Sequence, residues 1–191
     1  EANRFYKKMS LKGELDPNIT IGSFIKDDDA FEKVDKLKAC RYFKVAADKG
    51  NIDAMVNYGL MLSKGDGVPI DKEEACRYFR VAADNGNTDA MIELSLILSE
   101  MEGNKEEASR YCKMAADQGN FKAMLDYGLM LFHGDGIPAN KEEASRYLKM
   151  AADRGNAEAM LHYGLLLASG EGVPVNKEAA CYYFKAAADK R

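Results

Sequence analysis

The sequence lacks long apolar runs and any excess of basic charge. No run approaches the roughly 20 apolar residues that a membrane-spanning helix needs, and residues 1–8 lack the apolar core of a signal peptide. The 191 residues carry a formal net charge of −4, with acidic and basic side chains interleaved. There is no basic stripe of the kind that neutralises phosphates along a nucleic acid. We therefore expect neither membrane insertion nor a nucleic-acid partner.

Motifs that carry catalysis or hold cofactors are also missing. The sequence has no Cys-x-x-Cys, no His-Glu-x-x-His and no Gly-x-Ser-x-Gly, and its Gly-Asp-Gly segments lack the lysine of a phosphate loop and the ligand spacing of an EF-hand. The two histidines, His133 and His162, fall in different sequence repeats, so they cannot easily share a metal. The sequence predicts no catalytic residue, cofactor or metal site, and a protein that is not an enzyme.

What the sequence does contain is an internal repeat. Four blocks align when the chain is divided at Gly-Asn: 51–86, 87–119, 120–155 and 156–191. The second block lacks three residues of the Gly-x-Gly loop that its neighbours carry at 65–69, 134–138 and 170–174. We expect its loop to be shortened and its helices to be intact. Repetition at this period is typical of stacked units that share one continuous core.

The pattern continues upstream of these blocks. Residues 39–48 match residues 75–84, so residues 14–50 are predicted to form a degenerate repeat. Residues 1–13 are predicted to be the end of a truncated repeat. Because the sequence also begins without Met, we expect the array to extend beyond the chain, and a targeting segment is not excluded.

Each block predicts two helices, named helix A and helix B. Helix A begins after Asn51, since Asn is a good N-cap, and ends at the Gly-x-Gly loop, whose glycines favour a helix C-terminus. Helix B begins after Asp71, Asn104 or Asn140, and a Glu three residues on can complete a capping box. No segment alternates as a strand does, so the predicted fold is all-α.

One position of helix A is always small. The residues there are Gly59, Ser95, Gly128 and Gly164. A glycine inside a helix costs about 1 kcal/mol relative to alanine. Its recurrence predicts that a neighbouring helix approaches too closely for a side chain.

The repeated residues form a recognisable set. They are Tyr58-Gly59-Leu60, the Gly65-x-Gly67-Val68 loop, Asp71-Lys72, Ala75, Tyr78-Phe79 and Ala82-Ala83. This set resembles the Sel1-like repeat family, which is related to tetratricopeptide repeats, over residues 35–191; Leu94-Ser95 departs from it in the second block. The resemblance implies a right-handed α-solenoid of helix-turn-helix repeats. It also implies a scaffold or adaptor for protein–protein interaction, as in signalling, with helix A lining a concave groove.

The groove predicted by this resemblance has an amphipathic stripe. Polar residues of helix A fall on one side, and a leucine recurs among them at Leu60 and its equivalents, which suits a peptide or a partner helix. The alternative is that these leucines fill space between helices while the charges only solvate the surface. The candidate partner-binding residues are Asp53, Val56, Asn57, Leu60, Lys64, Asp89, Ile92, Glu93, Leu96, Lys122, Leu125, Asp126, Leu129, Phe132, His133, Glu158, Leu161, His162 and Leu165.

The four cysteines bear on the compartment. Cys40, Cys76 and Cys181 occupy equivalent positions of helix B, and Cys112 stands where Phe79 stands in the first block. Equivalent positions in stacked helices lie about 8–10 Å apart, beyond the reach of a disulfide. We expect buried free thiols and a reducing, cytoplasmic location. The sequon at Asn18 is compatible instead with the secretory pathway or the ER lumen.

Three functions are compatible with the sequence. The first is a non-enzymatic scaffold that binds a peptide or partner protein in the helix A groove. The second is an architectural module that pairs end to end as a homo-oligomer, because the last helix ends at residues 186–188 without a polar capping repeat. The third is a β-lactam hydrolase-like enzyme, as the resemblance to cysteine-rich family members implies, although their paired cysteines are absent.

Overall fold

The computed structural model describes residues 36–190, and this part contains nine α-helices and no strand. The helices are α1 (Lys36–Asp48), α2 (Ile52–Lys64), α3 (Lys72–Asp84), α4 (Thr88–Glu100), α5 (Lys105–Asp117), α6 (Phe121–His133), α7 (Lys141–Asp153), α8 (Ala157–Ser169) and α9 (Lys177–Ala188). Helices α2, α4, α6 and α8 are A helices, and the odd-numbered ones are B helices. The predicted segment 1–13, most of the predicted repeat 14–50 and Asn18 lie outside the described residues.

Two compact units make up the described chain. In residues 36–85, α1 packs against α2 and α2 against α3. In residues 86–190, each helix from α4 to α9 packs against the next along the chain. The cores combine large residues with alanines; in α3, for example, Phe79 and the neighbouring Ala82 and Ala83 are fully buried. Each helix therefore buries its apolar face against its sequence neighbours, as stacked repeats do.

Asparagine begins every described A helix. The side-chain oxygens of Asn51, Asn87, Asn120 and Asn156 each accept a hydrogen bond from the backbone N–H three residues on, at 2.8–3.0 Å. Asn satisfies a backbone donor that the helix itself leaves unpaired. The prediction of Asn51 as an N-cap is confirmed.

Of the four B helices whose first turn is described with its preceding residue, α3, α5, α7 and α9, three begin with a side-chain cap. The caps of α3, α7 and α9 are Asp71, Asn140 and Asn176. The prediction of the same device at Asn104 is wrong, because its side chain makes no capping hydrogen bond to α5. Its backbone N–H is bound instead to the carbonyl of Met101, and its side-chain amide donates to the carbonyl of Glu102 at 3.3 Å. The shortened loop thus holds Asn104 in a turn.

The loop between helices A and B distinguishes the second block from the others. In the full-length loops a glycine with φ of 73–79° ends helix A, as at Gly65 and Gly134, and this is the left-handed region that glycine favours. In the second block α4 ends at Met101 with φ −92°. Helices α4 and α5 still have 13 residues each, like α2 and α3. The prediction of a shortened loop with intact helices is confirmed.

Polar contacts join successive repeats within residues 86–190. The hydroxyl of Tyr147 donates to Asp117 at 2.8 Å, and Lys113 reaches the same carboxylate at 2.8 Å. At the loop edge Lys105 pairs with Asp135 at 2.6 Å, and a Cβ on Gly136 would collide with the Lys105 carbonyl. The ion pairs are exposed and contribute little individually. The close backbone approach fixes where each loop meets the preceding helix B.

The cysteines are all free thiols in the described chain, but their burial differs. Cys40, Cys76 and Cys112 are buried, as predicted, whereas Cys181 is exposed. The prediction is wrong for Cys181 because no described helix covers that side of α9. Among the described helices, none combines the length and apolar character that crossing a bilayer requires.

Candidate functional site

Helices A and B of one repeat meet at a small residue facing a large one. A Cβ on Gly59 would lie 2.8 Å from the ring carbon Cε1 of Phe79, which is too close for a real contact. The same arrangement recurs at Gly128 with Leu148 and at Gly164 with Phe184. The prediction that a neighbouring helix excludes a side chain at these glycines is confirmed.

One repeat departs from this pairing. Between α4 and α5 the corresponding residues are Ser95 and Cys112, so a larger residue stands in helix A and a smaller one in helix B. Both are buried, and the Cys112 thiol donates to the carbonyl of Ala123 at 3.5 Å. Because a cysteine side chain is smaller than that of Phe or Leu, it leaves space that the other repeats fill.

Ser95 and Cys112 both line a cleft of about 470 Å³ between α4 and α6. The sequence predicted five of the lining residues: Ile92, Leu96, Asp126, Leu129 and His133. Leu96 is 40% exposed, and Leu129 is half-buried. The cleft therefore offers apolar surface to solvent next to the carboxylates of Asp126 and Asp135 and the imidazole of His133.

Within 86–190, the other residues predicted to contact a partner lie outside the cleft. Asp89, Lys122 and Glu158 are exposed at the starts of their A helices, and Leu165 is 56% exposed on α8. The half-buried members are Glu93, Leu161 and His162. These side chains continue the polar and apolar mixture of the A helices beyond the cleft.

Three of the residues predicted to contact a partner do not lie on the exposed surface of the A helices. Val56 and Leu125 are only 8% and 3% exposed, so they support the surface from beneath instead of forming it. Phe132 lies 5.2 Å from the Lys141 ammonium, measured to the ring centre, and so faces helix B of its own repeat.

In residues 36–85, Asp53 and Lys64 are exposed, while the side chains of Asn57 and Leu60 are half-buried.

Asp126 is the electrostatic centre of the cleft. Burial raises the pKa of its carboxyl group above the usual value; Lys122 opposes the rise and Glu158 adds to it. None of Asp89, Glu93, Asp126 and Glu158 forms an ion pair within residues 36–190. Desolvation and a like charge both disfavour the ionised carboxylate, and a cation brought to Asp126 would favour it.

The cleft is poorly suited to nucleophilic chemistry. Burial raises the pKa of the Cys112 thiol to about 12, Asp126 adds to the rise, and a hydrogen bond with Ser95 opposes it. The thiolate is the reactive form of cysteine, so Cys112 stays neutral near pH 7. Within the part of the chain that the structure describes, no three His, Cys, Asp or Glu side chains cluster as metal ligands would.

Comparison with protein-family models identifies the repeat. The Sel1 repeat model matches residues 28–51, 52–87, 88–120, 121–156 and 157–191. The chain belongs to the Sel1 repeat family. Its fold class is accordingly that of the all-α helical-repeat solenoids, while the predicted right-handed sense stays a prediction. No curated protein sequence matches the chain significantly.

Solved structures of Sel1-repeat proteins are similar to this chain. One is the Sel1 repeat protein from Oxalobacter formigenes, with a TM-score of 0.76 and 28% identity over 81% of this chain and 65% of that protein. Another is c5321, a protective antigen of uropathogenic Escherichia coli strains with an SLR fold, with a TM-score of 0.78 and 27% identity over 81% of this chain. The Sel1 chain thus spans under two thirds of the first and 34% of the second.

Membership of the Sel1 family indicates a general class of function. Sel1-repeat proteins are generally scaffolds for protein interaction, and the family is typically non-catalytic. Protein partners are therefore the general expectation for this Sel1 chain.

Several residues that line the cleft of this Sel1 chain were not predicted from its sequence. Ser95, Ser99, Cys112, Met130 and Asp135 all line the cleft, although none was predicted as a contact. The departure of Ser95 from glycine and that of Cys112 from an aromatic residue were both visible, but only the fold shows that the two residues face each other. Comparing the pair across repeats, instead of each position alone, could have located the cleft.

Proposed function

We propose that this Sel1 chain is a non-catalytic interaction scaffold that binds a peptide or partner protein through the exposed side of its A helices. The single observation that carries the proposal is the cleft between α4 and α6, which exposes apolar surface beside the unpaired carboxylate of Asp126. Interface centres combine apolar anchors with a polar rim, and the A helices supply both. Signalling or adaptor roles and a cytoplasmic location are parts of the same proposal.

The test is reversal of charge at the first-turn acids of three A helices. The variant Asp53→Lys, Asp89→Lys, Glu158→Lys is compared with a control in which Glu73, Glu106 and Glu142, the exposed first-turn acids of three B helices, also become Lys. Both variants change the net charge equally and place lysines at helix N-termini, where each costs about 0.3–1 kcal/mol. Differences in partner capture then report the surface and not the charge.

The expected result is loss of partner capture in the A-helix variant and retention in the B-helix variant, with equal helicity by circular dichroism. Equal capture by both variants would remove the A helices from the account. Capture lost only in the B-helix variant would move the site to the opposite helices.

A second candidate is self-association through α9. Tyr182 is 69% exposed, Cys181 is exposed, and Phe184 is half-buried although the equivalent Phe79 is fully buried. An exposed apolar surface of this kind favours association. Sedimentation at several concentrations tests it: a dimer that Tyr182→Lys abolishes supports the candidate, and a monomer at all concentrations rejects it.

A further inference from the structure

We propose that the cleft between α4 and α6 binds a basic segment of a protein partner, with one apolar side chain seated against Cys112 and an adjacent Lys or Arg paired with Asp126. This inference rests on the proposed scaffold function and narrows it to one repeat and one class of peptide. It follows from three features of residues 86–190: where the cleft lies, what lines it, and which charges surround it.

The cleft lies at a pair of facing residues that no other described repeat shares. Where the other described repeats pair glycine with Phe or Leu, this one pairs Ser95 with Cys112. Serine opposite cysteine keeps the two helices in contact but removes the bulk of an aromatic ring. In two of the other repeats the corresponding position is filled by the buried side chains of Phe79 and Leu148. The smaller pair, Ser95 and Cys112, forms part of the lining of the cleft.

The lining suits an apolar side chain. Ile92 and Leu96 from α4 stand opposite Leu129 and Met130 from α6. The volume of about 470 Å³ falls in the range of about 300–1,000 Å³ typical of pockets that enclose small ligands. Met adapts its shape to different occupants. One large apolar residue of a peptide can therefore lose most of its contact with water in the cleft.

The surrounding charges select a cationic partner. In residues 86–190 the A helices carry the unpaired carboxylates Asp89, Glu93, Asp126 and Glu158 against a single lysine, Lys122. Asp126 is half-buried in the cleft wall, where its charge is least solvated and a cation would be attracted most strongly. An acidic peptide would meet repulsion on the same surface. The carboxylates lie on three successive A helices and so extend beyond the cleft. A peptide segment can reach several of them, whereas a small molecule in the cleft cannot.

Selection from a random heptapeptide library displayed on phage tests the inference. The protein, residues 1–191, is the bait, and enriched peptides are synthesised with a fluorescent label. Their Kd is measured by anisotropy on the wild type, on Asp126→Asn and on the double variant Ser95→Gly, Cys112→Phe. The double variant reproduces the Gly59–Phe79 pair and fills the cleft with a combination that the fold already accommodates. A matched peptide with its basic residue replaced by Gln completes a double-mutant cycle with Asp126.

We expect enriched peptides to place Lys or Arg next to Leu, Met or Phe. Asp126→Asn should weaken their binding about tenfold or more, as loss of a charge-assisted hydrogen bond does. The same substitution should leave the Gln peptide nearly unaffected, and the double variant should weaken both peptides about tenfold or more.

Enrichment of acidic or uncharged peptides, or no enrichment, would overturn the inference. It would also be overturned if enriched peptides bound the double variant as tightly as the wild type. If such peptides were nevertheless lost from the A-helix charge-reversal variant, the proposed scaffold function would stand and only the cleft would be wrong. A peptide insensitive to both changes would contradict both proposals.

Discussion

At the scale of single residues, one pair connects core packing with the proposed binding cleft. Ser95 and Cys112 stand where the other repeats have glycine and Phe or Leu. The pairs of glycine with Phe or Leu elsewhere leave no room for a Cβ, whereas this pair tolerates one because the facing side chain is small. We therefore expect the two positions to be energetically coupled, so that the effect of a substitution at one depends on the residue at the other.

Substitutions at this pair should show strong non-additivity. Cys112→Phe alone should destabilise the protein by about 1–3 kcal/mol, because the ring would overlap the Ser95 side chain. Adding Ser95→Gly should recover that loss, with a coupling of about 0.5–3 kcal/mol. Urea denaturation of the two single variants and the double variant measures it. Additive free energies would show that the two side chains do not meet as described.

Asp126 should make stability depend on pH in a defined direction. Its folded-state pKa is raised, chiefly by burial, so the native state holds the proton more tightly than the unfolded chain does. The associated stabilisation is complete below the unfolded pKa of about 3.9 and is lost as the pH rises through the folded pKa. We expect Asp126→Asn to gain stability relative to the wild type between about pH 3 and about pH 7. Parallel curves of unfolding free energy against pH would contradict the raised pKa.

At the scale of helices, capping explains where most elements begin and why one differs. Asn120 accepts from the backbone N–H of Ala123 at 3.0 Å, whereas Asn104 makes no such bond. Both were recognisable as N-caps by residue type. Only the backbone course of the shortened loop determines that Asn104 is held by Met101 and Glu102 instead.

The two asparagines provide a matched test of helix capping. Asn120→Ala should lower the free energy of unfolding by about 1 kcal/mol, the usual cost of losing a cap. Asn104→Ala should cost only a few tenths, since no capping bond is lost. Urea denaturation of both variants checks the difference. An equal loss at the two sites would place a functional cap at Asn104.

At the scale of the whole molecule, the sequence was sufficient for the fold class and insufficient for the site. Repetition of Gly59 and its equivalents, with Asn51-type caps, predicted helix pairs because such signals are local and recur in every copy. The cleft depends on how far apart α4 and α6 lie above Cys112, a distance that no local pattern encodes. For the same reason the burial of Val56 and Leu125 was not anticipated.

The predicted stripe nevertheless identified five of the twelve residues that line the cleft. Leu96 and Leu129 were selected because leucine was unusual among polar neighbours, and both line the cleft. Ser95 and Met130 were missed because each looked like an ordinary core residue. Their role is visible only when two successive A helices are considered together.

Methyl NMR with the bound partner most directly tests the claim that the A helices form the binding surface. The partner recovered by capture is added to protein labelled at Leu and Met methyl groups. We predict the largest shift changes at Leu96, Leu129 and Met130, with little change at Met114 and Met150 of the B helices. Changes concentrated at Met114 and Met150, with the cleft methyls unmoved, would contradict the account.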